Sequence, residues 1–310
     1  MNTAPLSNSN IWLAYGGALI VLVVGTSVTY FLASTYPDRD YSNLRLRVRT
    51  WWMIVPALVV ALSIGPPATV LLFAAASAVT LHEYLTFATH RNQPAPVLVV
   101  TYAAIPLLYA LAYYRNESSL VTFVPAYCLL LASVIFSTHR GVHFRREICT
   151  LSLGIFLTVF SLSYIARLVT LANGVGLVVF LLMTTQLNDV SQYVWGKLFG
   201  RTPLAPTLSP NKTREGMLGG MLTTAALASL LGPLLTPMDS LISAVVGVVI
   251  ALAGVAGDLT VSGLKRIAGV KDAGNLLPGH GGLFDRVDSL IYTAPLLFYG
   301  MLPWREMQYP

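Results

Sequence analysis

The chain has 310 residues, 55% hydrophobic and only 10% charged, with a mean hydropathy of +0.68 and a formal net charge of +6. A soluble domain carries about 25% charged residues. This composition excludes a water-soluble globular protein, and apolar runs near 20 residues point to an all-α polytopic membrane protein.

The segment Met1–Asn10 holds no Lys or Arg. It lacks the basic start of a cleavable signal peptide, so the first apolar run is expected to stay as a span. Ten spans follow from hydropathy: Ile11–Ser34, Trp51–Gly65, Pro67–Glu83, Val97–Tyr113, Leu120–Phe136, Ile148–Ile165, Gly174–Leu187, Met217–Leu235, Leu241–Gly257 and Ser289–Pro303. The second, seventh and tenth are short for a bilayer, so nine is the alternative count. Gly65-Pro66-Pro67 separates the second and third, because consecutive prolines end a helix. Cys128 and Cys149 offer neither metal-ligand spacing nor a disulfide framework.

Alternate connections differ in charge. Residues 38–50, 84–96, 137–147, 188–216 and 258–288 hold 16 of the 19 Lys and Arg; the other side has Arg115, Arg167 and Arg305. The basic side is expected to be cytoplasmic, and much of its charge serves topology and anionic lipid headgroups. The expected location is a bacterial inner membrane, crossed many times, with the active site facing the cytoplasm.

The chain changes character near residue 173. Residues 1–173 form an N-terminal region of about six spans with short, poorly featured connections. Residues 174–310 form a C-terminal region of about four spans, with long polar loops at 188–216 and 258–288. Loops of that length are uncommon unless functional or disordered, and these two lie on one side of the membrane. They contain six of the thirteen Asp and Glu residues and eight of the nineteen Lys and Arg.

In the first loop, Asp189 sits where the seventh span leaves the bilayer, and an ionisable residue at that depth is a functional hypothesis by default. Ser209 to Glu215 reads as a helix start, with Lys212 and Thr213 beside backbone N–H groups that suit a phosphate. In the second, Asp258, Ser262, Lys265 and Arg266 fall at helical spacing and line one side of a helical extension. Lys271, Asp272 and a Gly/Pro turn lead to His280, then to Asp285, Arg286 and Asp288. Hard oxygen ligands mixed with cations suit a magnesium-bound di- or triphosphate, since Mg²⁺ takes one or two carboxylates plus substrate phosphate oxygens. A transition metal is disfavoured, because His280 has no partner at ligand spacing. Helix capping and loop anchoring explain parts of this set, but not all of it.

Ser262, Lys265, Arg266, Lys271, Asp272, Gly274, Pro278, His280, Gly281, Gly282, Asp285, Arg286 and Asp288 fill, without a gap, a pattern that resembles the signature of the phosphatidate cytidylyltransferases, or CDP-diacylglycerol synthases. Asn188-Asp189, Tyr193, Gly196, Phe199-Gly200 and Ser209–Gly216 resemble that family's second block. Arg214 departs from it, where the family usually has Trp, as does Gln192, where many bacterial members have a small residue. The resemblance covers roughly residues 174–303.

It implies an Mg²⁺-dependent nucleotidyltransferase of phospholipid biosynthesis that joins CTP to phosphatidate. It implies metal binding by Asp258, Asp285 and Asp189, and a catalytic set of Asp258, Asp285, Asp288, Lys265 and Arg266. Substrate binding falls to Ser209, Lys212, Thr213, Ser262, Lys271, His280 and Arg286. The partners are CTP, a lipid phosphate and membrane lipids, with no nucleic acid and a homodimer as one option. The alternatives are transfer to a different lipid phosphate, a lipid kinase, a polytopic anion transporter and a protein that has lost activity.

Overall fold

The computed structural model describes residues 8–36, 41–89, 93–114, 117–138, 144–274, 276–277 and 281–301. Among the described residues, nine helical segments are long and apolar enough to cross a membrane. They are α1 (Asn8–Thr35), α2 (Ser42–Ile64), α3 (Pro66–Ala88), α4 (Ala95–Tyr113), α5 (Glu117–Thr138), the segment Phe144–Val169, α8 (Gly174–Phe199), α9 (Arg214–Leu235) and α10 (Ser240–Ile267). The segment Phe144–Val169 joins α6 (Phe144–Gly154) to α7 (Ser161–Val169) through a π-helical stretch, Ile155–Phe160. Gly65, at φ 119°, ends α2 and lets Pro66 open α3, as the Gly-Pro-Pro break predicts.

The tenth expected span is different. Within its expected bounds, Ser289–Pro303, the described helix is α12 (Leu290–Gly300) alone, preceded by the short α11 (Phe284–Val287) with Asp288 and Ser289 between the two. Eleven residues of α12 rise about 17 Å, too little for a core of about 30 Å. The Asp288 Oδ1 accepts from the Ser289 N–H at 2.8 Å. Asp288 and Ser289 keep helical dihedrals, at φ −53°, ψ −44° and φ −66°, ψ −34°, so the chain direction carries on from α11 into α12.

The two long loops are shorter than hydropathy suggests. Helix α8 continues ten residues past Asp189 to Phe199, and α10 continues nine past Asp258 to Ile267. Asp189 and Asp258 therefore project from within helices, about 15 Å before their ends. The rest of the first loop is a small antiparallel hairpin, β1 (Pro203–Ala205) with β2 (Ser209–Thr213), an addition to the otherwise helical fold. Thr213, within the expected helix start, caps α9, its Oγ1 accepting from the Gly216 N–H at 3.1 Å. The Glu215 carboxylate reaches back to the N–H groups of Arg201 and Thr202, both at 3.1 Å. Cap and hairpin are thus fastened together.

Helix α9 packs along both α8 and α10, and α12 is enclosed by α7, α8 and α10. Small residues permit this closeness, as is usual between membrane helices. A Cβ at Gly220 would stand 2.3 Å from Gln192 Cγ. Arg167, expected in an outer connection, is fully buried in α7. Its Nη1 donates to the Ala112 carbonyl at 3.4 Å, and its guanidinium lies 5.6 Å from the Phe298 ring centre, tying α7 to α4 and α12.

Candidate active site

The site residues gather into two neighbouring constellations. The first is an acidic pocket built by α8, β2, α10 and the link before α12. Lys212 on β2 forms an ion pair with Asp258 Oδ2. Ser262, one turn along α10, donates to Asp258 Oδ1 at 3.2 Å. Ser289 Oγ donates to Asp189 Oδ2 and to the Gly254 carbonyl, both at 3.4 Å. Gly257 permits the approach, since a Cβ there would lie 2.3 Å from the Asp288 carbonyl oxygen.

Asp288, in the link between α11 and α12, is buried. Burial holds its carboxyl well above the ordinary carboxylate range, and the charges of Asp258 and Asp189 push the same way. The Ser289 N–H and Lys212 oppose that rise without cancelling it. Three carboxylates thus share Lys212, with Arg286 also acting on Asp189.

Among the described residues, no three His, Cys, Asp or Glu side chains stand close enough to enclose a metal by themselves. Mg²⁺ does not require that, since it binds through one or two carboxylates plus substrate phosphates. All the donors in the pocket are hard oxygens, and the surplus of negative charge favours a cation, so the residues present fit Mg²⁺.

The second constellation is a clasp around Asp285. Lys265 Nζ donates to Asp285 Oδ1 at 2.6 Å. Asp285 Oδ2 accepts from the N–H groups of Ala273 at 2.9 Å and Gly282 at 3.1 Å. Lys265 and Asp285 are both buried. The expected metal set is therefore divided: Asp189 and Asp258 share the pocket with Asp288, while Asp285 has both oxygens engaged elsewhere. Gly281, at φ 81°, makes the tight turn that this requires.

Arg266 bridges α10 to the hairpin turn, donating to the carbonyls of Leu208 at 3.4 Å and Val270 at 3.2 Å. Lys271 is exposed beside the clasp, Ser209 is half-buried at the start of β2, and Arg286 is half-buried on α11. His280 lies outside the described residues.

Sequence reasoning missed Glu83, Ser289 and the Ala273 N–H. Glu83, near the end of α3, is 7% exposed. Its Oε1 accepts from the Leu283 N–H at 2.9 Å and its Oε2 from the Phe284 N–H at 2.7 Å, 200 residues away along the chain. The available signal was weak: an acid closing an apolar run reads as a span end.

A profile described as the cytidylyltransferase family matches residues 45–302. That match runs from within α2 through α12, well beyond the motifs at 174–303. The chain is 40% identical over 289 residues to the uncharacterised protein YnbB of Escherichia coli (strain K12), covering 90% of this chain and 94% of that one. It is 33% identical over 188 residues to a phosphatidate cytidylyltransferase of Staphylococcus saprophyticus, covering 59% of this chain and 69% of that one. A Staphylococcus epidermidis protein of the same name is 35% identical over 175 residues, covering 54% of this chain and 64% of its own length.

Proposed function

The chain belongs to the cytidylyltransferase family, and on that premise we propose that it transfers a cytidylyl group from CTP to phosphatidate, giving CDP-diacylglycerol and pyrophosphate. The observation that carries this reading is the meeting of Asp189, Asp258, Asp288 and Lys212, brought together from α8, α10, the link between α11 and α12, and the hairpin. In the reaction, an oxygen of the lipid phosphate attacks the α-phosphorus of CTP. A new P–O bond forms, the bond from the α-phosphorus to the bridging oxygen breaks, and pyrophosphate leaves with that electron pair. The attacking group is already an anion, so no protein nucleophile and no strong base is required. Positioning and charge neutralisation carry the rate.

One or two of Asp189, Asp258 and Asp288 would hold Mg²⁺ together with substrate phosphate oxygens, and the ion would neutralise the nucleotide phosphates when bound. Lys212 is placed to exchange its carboxylate partner for a phosphate oxygen. Ser209, Thr213, Ser262, Arg266, Lys271, His280 and Arg286 stand as the remaining phosphate-binding set. Lys265 and Asp285 hold the adjoining loop, and their catalytic part runs through its backbone. The apolar helices offer acyl chains a path from the bilayer. The one-sided distribution of Lys and Arg supports an inner-membrane protein whose site faces the cytoplasm.

A second reading, transfer to a different lipid phosphate, is favoured by one observation. The match to YnbB covers 90% of this chain, whereas the matches to the two Staphylococcus proteins named phosphatidate cytidylyltransferase cover 59% and 54% of it. Asp189 lies within helix α8, a depth that a transporter site would share. Family membership favours transfer. The test is purified protein with radiolabelled CTP, Mg²⁺ and a panel of lipid phosphates. Labelled CDP-diacylglycerol from phosphatidate is the expected product. A labelled product from another lipid alone selects the second reading, and no CDP-lipid from any of them overturns both.

A further inference from the structure

We propose that Glu83 is a positioning residue for the transfer reaction: from the N-terminal half of the chain, it sets the backbone of residues 282–284 and thereby the Asp285 clasp. This rests on the transferase reading above. The two oxygens of Glu83 take the N–H groups of Leu283 and Phe284, the residues between Gly282 and Asp285. Gly282 is in turn one of the two backbone donors to Asp285 Oδ2. A Cβ at Gly282 would lie 2.6 Å from Glu83 Oε2, and one at Gly274 would lie 3.0 Å from Glu83 Oε1. Two glycines of the signature loop therefore leave space for this carboxylate.

The surroundings fasten Glu83 to the membrane bundle. Phe284 sits among aromatic rings of the same α3 end, 6.0 Å from Tyr84 and 6.2 Å from Phe87 between ring centres. The Tyr84 hydroxyl donates to the Thr150 carbonyl of α6 at 3.0 Å. A displacement of α3 is thus passed to residues 282–284, and through Gly282 to Asp285 and Lys265. A carboxylate suits the role because it accepts twice and donates nothing. An amide at the same place would turn an NH₂ group toward one of the two N–H donors. This gives the N-terminal helices a part in the site, which their apolar composition does not disclose.

The test uses the full-length protein in detergent or bilayer, with Glu83→Gln as the main variant and Glu83→Asp, a shorter carboxylate, as the second. Outer partners of catalytic ligands are typically worth about 10–100-fold in affinity or activity. A loss of that size in kcat/KM for CTP is expected, with the melting temperature little changed. Amide hydrogen exchange should accelerate at residues 283 and 284 and not along α3. Combining Glu83→Gln with Gly282→Ala should cost less than the sum of the two, because both act on one contact. Wild-type activity with unchanged protection at 283 and 284 overturns the proposal. So does accelerated exchange throughout the bundle with an equal fall in melting temperature, which marks general unfolding. Should wild-type protein form no CDP-lipid, the transferase reading fails separately, and the exchange measurement still decides whether Glu83 holds this loop.

Discussion

The acidic pocket and the Asp285 clasp lie side by side and handle charge in opposite ways. In the clasp, a buried carboxylate meets one ammonium and two backbone N–H groups, so its charge is answered within the protein. In the pocket, Asp189, Asp258 and Asp288 act on one another around Lys212, and burial holds Asp288 toward its protonated form. A region with its charges satisfied is built to keep a shape. A region with negative charge in excess is suited to a cation.

The contrast breaks first, and most widely, at Asp258. Asp258→Asn should lower cytidylyl transfer by about 100-fold or more, the scale of losing one group that stabilises developing charge. Its melting temperature should stay close to that of the wild type. An activity assay paired with thermal unfolding in detergent checks this; near-normal activity would remove Asp258 from the pocket's chemistry.

Asp285→Asn should behave differently. It leaves Lys265 buried without its counter-charge, and breaking a buried pair costs about 3–5 kcal/mol. Activity and stability should fall together, as read by rate and by unfolding of the same preparation. A variant that loses activity at wild-type stability would move Asp285 into the metal set that the sequence implies.

Gly282→Ala probes the seam between Glu83 and the clasp. Overpacking of this kind costs about 1–3 kcal/mol, and the new methyl group would meet Glu83 and the Gly274 N–H. A drop in melting temperature smaller than that of Asp285→Asn is expected.

Asp288→Asn sharpens the comparison from the other side. An acid whose folded pKa is raised opposes folding once the pH passes its unfolded value, about 3.9. Its neutral analogue should therefore raise the melting temperature of the metal-free protein at pH 7 while lowering activity. The stabilisation should disappear below the unfolded pKa, where both forms are neutral. A fall in melting temperature at pH 7 would contradict the account of the pocket.

Much of the fold is legible in the sequence because bilayer spans are written locally, as apolar runs and their breaks. Nine expected spans appear in order, and the Gly65-Pro66-Pro67 turn falls where proline chemistry puts it. The face formed by Asp258, Ser262 and Lys265 was also readable, since helical spacing is a local property. What escaped is non-local or invisible to hydropathy. Hydropathy ends α8 near Leu187, yet ten residues beyond Asp189 remain helical, with Tyr193, Leu198 and Phe199 exposed on the outside. The partners Lys212–Asp258, Lys265–Asp285 and Glu83–Phe284 are chosen by tertiary packing, which no spacing rule encodes. Arg167 shows the same limit: a cation near an expected span end proved to be a buried strut.

The most direct measurement of the central claim is the Mg²⁺ dependence of pyrophosphate release from CTP and phosphatidate, compared between wild type and Asp258→Asn. The account predicts saturable dependence in the wild type and none in the variant up to Mg²⁺ levels far above wild-type saturation. Superimposable Mg²⁺ curves for the two proteins would contradict it.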